Sequence, residues 1–313
     1  MNKDRLLSIV GPTAVGKTKL SIELAKAFDG EIISGDSMQV YKGMDIGTAK
    51  IKEEEKEGIP HYLIDILEPH EDFSVSHFQN LTKSYIKEIN RRGRLPILVG
   101  GTGLYVQAVT HDFHFAEKNN PALREKWKRF LAEHGKEALY KELQTRDPVY
   151  AARLHPNNTR RVIRALEILE TTGKSMAHYQ QDWHRRSPYD LVMIGLTMER
   201  KKLYQRINQR VDQMMEQGLV EEVKQLLARG VPKSSTSMQA IGYKEIVRYL
   251  EGELTLDEAV ELIKRNTRRY AKRQLSWFRR MDEIRWFEVT DHRQFSEVVK
   301  NIIRYVAGKW QMI

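Results

Sequence analysis

Leu6-Leu-Ser-Ile-Val-Gly-Pro-Thr-Ala-Val-Gly-Lys-Thr18 is the stretch on which the fold turns. Leu6 to Val10 is a short apolar run of the kind that forms a buried strand. It feeds a glycine loop, and Thr18 to Phe28 then carries Leu20, Leu24 and Phe28 at helical spacing. Strand, loop and helix in that order are the context in which GxxxxGK[ST] becomes a phosphate loop. Gly11 and Gly16 let the backbone N–H groups around Thr13, Ala14 and Val15 converge on phosphate oxygens, Lys17 adds a positive charge, and the Thr18 hydroxyl can ligate magnesium. The following helix aims its positive end at the same place. Such a loop specifies phosphate rather than ATP. Taken alone it points to a nucleotide or small-molecule kinase.

Working outward, Glu31 to Ser34 predicts a second strand ending at Gly35-Asp36-Ser37, and Leu63 to Leu67 a third. Ser76 to Arg92 is helical by pattern. Pro96 to Val99 is another buried strand, ending in Gly100-Gly-Thr-Gly103. Strands alternating with helices predict an α/β fold with a parallel sheet and ligands at the strands' carboxyl ends. After Thr110 the alternation stops. Residues 111–186 read as an all-helical insertion bearing Trp127, Leu131, Leu139, Leu143, Ile163, Leu166 and Leu169. Asp190 to Leu196 is a strand again, so residues 1–110 and 187–313 are expected to form one P-loop core, its tail from Arg200 to Trp310 mostly helical.

Hydrophobic residues make up 41% and charged residues 30% of the 313, the balance of a globular chain. No apolar run approaches the roughly 20 residues that span a bilayer, and Leu6 to Val10 is too short for a signal-peptide core, so a cytoplasmic protein is expected. Cysteine is absent, which removes disulfides, thiolate zinc sites and cysteine nucleophiles together. The formal charge of +10 favours a polyanionic partner. Nothing calls for an obligate oligomer, and a monomer is expected.

Asp36 ends the strand after the phosphate-loop helix, which places a carboxylate near the phosphates, where magnesium or a reacting group would lie. The alternative is a helix cap or turn former. Thr102 stands where a metal-holding acid would follow the strand in many NTPases, and its hydroxyl can only donate or accept a hydrogen bond, which disfavours NTP hydrolysis. Asp65 is either a metal-site acid or a partnered structural residue.

Taken together, Gly11 to Thr18, Asp36-Ser-Met-Gln-Val-Tyr41 with Gly43 to Lys50, and Leu98 to Tyr105 resemble the tRNA dimethylallyltransferases of bacterial type. The resemblance continues through His155-Pro-Asn-Asn158, Arg160 to Glu167, Arg206 to Arg210, Ile241-Gly-Tyr-Lys244 and Ala271-Lys-Arg-Gln274 with Trp277, covering nearly the whole chain in order. Gly35 departs from the alanine or valine common in relatives, and the lack of cysteine excludes the zinc-finger tail of eukaryotic ones.

The resemblance implies transfer of a five-carbon allyl group from dimethylallyl diphosphate, with Mg2+, to the exocyclic amine of the adenosine 3′ of the anticodon, in tRNAs reading U-initial codons. It implies Asp36 as general base, Thr102 orienting the same centre, and Arg210 joining the phosphate loop on the diphosphate. Arg206, one turn earlier, either shares that face or is solvated. The same resemblance assigns the anticodon stem-loop to Asp36, Ser37, Met38, Gln39 and Thr102, and to Gln239, Ala240, Ile241, Gly242, Tyr243 and Lys244. From the insertion it adds Arg124, Arg160, Arg161, Val162, Ile163 and Arg164. Separately, Lys264 to Arg280 holds eight basic residues and no acid, and Arg265, Arg269 and Arg273 beside Lys264, Arg268 and Lys272 predict a basic helix face suited to phosphates. Trp277 and Phe278 are expected to pack in the core.

Overall fold

The computed structural model describes residues 3–115, 120–180, 186–291 and 294–311. Strand β1 (Arg5–Val10) lies inside a six-stranded sheet with β2 (Gly30–Ser34), β3 (His61–Tyr62), β4 (Leu95–Gly100), β5 (Asp190–Thr197) and β6 (Ile284–Glu288). The order is β3-β2-β4-β1-β5-β6, and every neighbouring pair is parallel. Side chains alternate across the sheet. Leu6 and Val10 enter one core with Ile33 and Leu98, while Leu7 and Ile9 enter a second with Ile97 and Leu196. Each such side chain contributes about 1.5–3 kcal/mol by leaving water. Both faces are therefore covered, as an all-parallel sheet requires.

Helix α1 (Lys17–Ala27) buries Leu20, Ile22 and Leu24, and α2 (Val75–Arg91) starts at Ser74, whose side chain accepts from the His77 N–H. After β4, α3 (Gly103–Thr110) carries the chain to the insertion. The tail holds α8 (Arg200–Glu216), α9 (Leu219–Ala228), α10 (Tyr243–Leu250), α11 (Leu256–Phe278) and α12 (Phe295–Trp310).

Two strand expectations need correction. Leu63 to Leu67 is a turn, not a strand: Leu63 and Asp65 have φ of 62° and 54°, which extended backbone cannot hold, and the neighbouring strand is only His61–Tyr62. β6 lies in the tail read as mostly helical. It pairs with β5 as the sheet's edge, and its half-exposed Ile-Arg-Trp-Phe-Glu gives a weak strand signal.

By internal contacts the chain divides into residues 1–110 with 188–313, and 111–187. The second unit contains α4 (Pro121–Arg146), kinked where Gly135 takes φ 80°, then α5 (Pro148–Ala151), α6 (Thr159–Thr172) and α7 (Met176–Gln180). Its core gathers Trp127, Leu139, Leu143, Tyr150, Val162 and Leu166. The fully buried Glu167 ties it together, accepting from the Asn120 N–H at 3.0 Å and pairing with Arg124 and Arg164 at 3.0 and 2.8 Å.

Candidate active site

The carboxyl ends of β1, β2 and β4 bring together the phosphate loop, Asp36 and the Gly100–Gly103 turn. Gly11 and Gly16 have φ of 147° and 108°, and a Cβ on Gly11 would sit 2.6 Å from the Leu196 carbonyl oxygen, so this shoulder of the loop requires glycine. Lys17 Nζ donates to the carbonyl oxygens of Gly11 and Pro12 at 3.0 and 2.7 Å. Burial, with Arg210 nearby, lowers its pKa to about 7, while Asp36 acts in the opposite direction. Thr18 is exposed on the first turn of α1.

Asp36 has both of the properties weighed from sequence. Its Oδ1 accepts the Met38 N–H at 2.8 Å, a turn-forming bond, yet the carboxylate also feels the charge of Lys17. Desolvation raises its pKa above the ordinary aspartate value, against the pull of those partners. Thr102 Oγ1 is buried, with the Tyr270 side chain as its hydrogen-bonding neighbour.

Arg206 and Arg210 lie one turn apart on α8, both partly buried, and desolvation lowers the pKa of each; in Arg210 the charge of Arg206 adds to the effect. Arg206 is thus no freely solvated side chain, and two guanidiniums and Lys17 concentrate positive potential at one place.

Two residues of α11 complete the site, and sequence reasoning missed their part. The Gln274 side chain, 5% exposed, accepts the Thr13 N–H through Oε1 at 2.9 Å and donates through Nε2 to the Gly101 carbonyl oxygen at 2.9 Å. Tyr270, one turn earlier, has its pKa pushed up to about 12 by desolvation and then by Asp36, with the Thr102 and Gln274 side chains as neighbours. The only signal was the Ala271–Gln274 motif, which does not say what the glutamine touches.

The loop after Asp36 is held by buried charge. Lys50 Nζ donates to the Tyr41 carbonyl oxygen at 2.9 Å and to the carboxylates of Asp45 and Asp65 at 2.5 Å each, so Asp65 is a partnered structural residue. Glu222 of α9 accepts the N–H groups of Asp45, Ile46 and Gly47 at 2.9, 2.7 and 3.1 Å, and the Tyr243 hydroxyl at 2.6 Å. Gln39 is turned inward, accepting from Ser34 Oγ at 3.0 Å, and Met38 packs on the core; Ser37 is partly exposed.

Among the side chains assigned to RNA, Tyr243 is fully buried, as is Val162, and Ile163 is 7% exposed, so none of the three offers a surface to a partner. Ala240 and Ile241 pack on the core and Gly242 is buried, which leaves exposed Gln239 and partly exposed Lys244 at that turn. Arg124 and Arg164 are committed to Glu167, whereas Arg160 and Arg161 are exposed and have no ion-pair partner among the described residues. On α11, Arg268 donates to Asn208 Oδ1 at 2.6 Å and Lys264 pairs with Asp212 at 2.7 Å. The basic face is therefore Arg265, Arg269, Lys272 and Arg273, all exposed. Phe278 is fully buried, and Trp277 Nε1 donates to Gln107 Oε1 at 3.1 Å.

The family model described as IPP transferase matches residues 39–281. A tRNA dimethylallyltransferase of Geobacillus kaustophilus is 55% identical over 99% of this chain and 98% of its own length. One of Anoxybacillus flavithermus is 54% identical over 98% and 97%. The crystal structure of the full-length tRNA isopentenylpyrophosphate transferase of Bacillus halodurans aligns with TM-score 0.75 at 54% identity, covering 99% of this chain and 98% of that one. A eukaryotic dimethylallyltransferase crystallised acting on tRNA aligns with TM-score 0.83 at 33% identity, covering 97% and 78%. The chain belongs to the IPP transferase family of tRNA dimethylallyltransferases.

Proposed function

We propose that the chain transfers the dimethylallyl group of dimethylallyl diphosphate to the exocyclic amine of the adenosine just 3′ of the anticodon, in tRNAs that read U-initial codons, acting as a cytoplasmic monomer. The observation that carries the reading is a phosphate loop set beside a desolvated carboxylate, Asp36, with Thr102 rather than an acid following β4.

The nitrogen–carbon bond forms as the carbon–oxygen bond breaks, and the diphosphate leaves with the electron pair. Loop N–H groups, Lys17 and Arg210 hold the charge that grows on it. Asp36 takes the amine proton, its raised pKa making it a stronger acceptor than an ordinary aspartate. The buried Thr102 hydroxyl, beside Tyr270, orients the amine. Among the described residues no three His, Cys, Asp or Glu side chains form a metal cage. Thr18 hydroxyl and Asp36 carboxylate are a sparse oxygen set of the kind Mg2+ accepts beside substrate phosphates. Bound there, Mg2+ would neutralise charge on the departing diphosphate.

A target base must leave its stack at a cost of a few kcal/mol, so the RNA needs gripping around it. Arg160, Arg161, Lys244 and the exposed face of α11 are the cations left unburied for this. Incubation with unmodified tRNA and labelled dimethylallyl diphosphate should move label into RNA, whereas ADP release from ATP without that transfer would favour a kinase. Asp36→Ala should lower transfer about 10²- to 10⁴-fold with tRNA binding retained.

A further inference from the structure

Gln274 lies on the buried side of α11, while Arg265, Arg269, Lys272 and Arg273 of the same helix are exposed. Its amide orientation is fixed by what it meets, since Oε1 faces an N–H and Nε2 faces a carbonyl, and a flipped amide would set like against like. The two bonds join turns far apart in sequence, the phosphate loop at Thr13 and the second glycine turn at Gly101. Thr102 follows directly. A Cβ on Gly101 would lie 2.2 Å from Gln274 Nε2, so the turn is shaped to admit this amide.

We propose that Gln274 is a positioning residue: its carboxamide sets the spacing of the phosphate loop and the Gly101–Thr102 turn, and so pre-shapes the diphosphate site before any ligand enters. It touches neither the diphosphate nor the acceptor amine and acts through Thr13 and Gly101. The idea rests on the transferase reading only in taking a diphosphate as the ligand.

The test is binding of inorganic pyrophosphate to the full chain, with thermal unfolding alongside. Gln274→Leu removes both bonds at similar volume and should weaken binding about tenfold or more, with a lowered unfolding midpoint because the Thr13 N–H and the Gly101 carbonyl are left unpaired. Gln274→Glu keeps the acceptor but sets a carboxylate oxygen against the Gly101 carbonyl. When protonated, it regains the donor and becomes a near copy of glutamine. Its affinity relative to the parent should therefore recover as pH falls toward the carboxyl range, near or above about 4.3. A folded Gln274→Leu that binds pyrophosphate like the parent would overturn the proposal. So would a Gln274→Glu ratio that stays constant with pH, and that second variant decides the matter if the leucine protein does not fold. Absence of prenyl transfer in the parent chain would sink the functional reading instead, leaving these binding results to be read independently.

Discussion

At Lys17 and Asp36 the same burial acts with opposite sense on the two charges, raising the acid and lowering the ammonium. The acid limb of kcat/KM should therefore lie above the ordinary carboxylate range, because Asp36 must lose its proton to act as a base. The alkaline limb should fall near pH 7, where the unliganded enzyme loses the Lys17 proton and with it attraction for the diphosphate. Once the diphosphate is bound, its negative charge favours the ammonium, so the corresponding limb in kcat moves upward. Parallel pH profiles of kcat/KM and kcat check both; a kcat/KM level through and beyond pH 7 would mean that Lys17 keeps its proton. The loop itself was legible because its chemistry is local, a run of N–H groups beside a lysine. Gln274 was not, since its partner Thr13 is 261 residues away and no spacing encodes that contact. Nor does sequence report desolvation, so the raised pKa of Asp36 was not legible there.

Elements show where patterns read correctly and where they misled. Strands β1, β2, β4 and β5 were visible as apolar runs because both sheet faces are covered. By contrast, Leu63 to Leu67 looks as apolar but is bent by two left-handed residues, one of them held by the Lys50 pair. At the start of α10 the motif carries no signal of how deeply its tyrosine is buried. The Tyr243 ring is buried and its hydroxyl serves Glu222, so Tyr243→Phe should cost about 1 kcal/mol in urea unfolding and leave tRNA affinity unchanged. A large loss of affinity with stability intact would make Tyr243 an RNA contact. In the insertion, Glu167→Gln would leave Arg124 and Arg164 without their shared counter-charge. Destabilisation on the order of 2 kcal/mol is expected, below the figure for a fully buried pair because the Arg124 side chain is 43% exposed. Differential scanning of the isolated variant and parent chains would read it as an earlier transition.

Over the whole molecule, an excess of ten positive charges matters only where cations remain unpaired. Log affinity for tRNA should fall linearly with log salt, and Arg160→Ala, Arg161→Ala, Arg265→Ala or Arg269→Ala should each reduce the slope by about 1 if that residue meets a phosphate. Arg268→Ala, whose side chain is engaged by Asn208, should change it less. An unchanged slope in all four exposed variants would remove these surfaces from the RNA interface. β1 is bonded on one side to β5, with Arg5 opposite Asp190, and Gly11 packs under the Leu196 carbonyl. Strand β5 comes only after the entire insertion in the chain. During synthesis, which proceeds from the amino end, the nascent β1 keeps one edge open to other strands until that late segment leaves the ribosome. The phosphate loop is thus made well before the strand that finishes it.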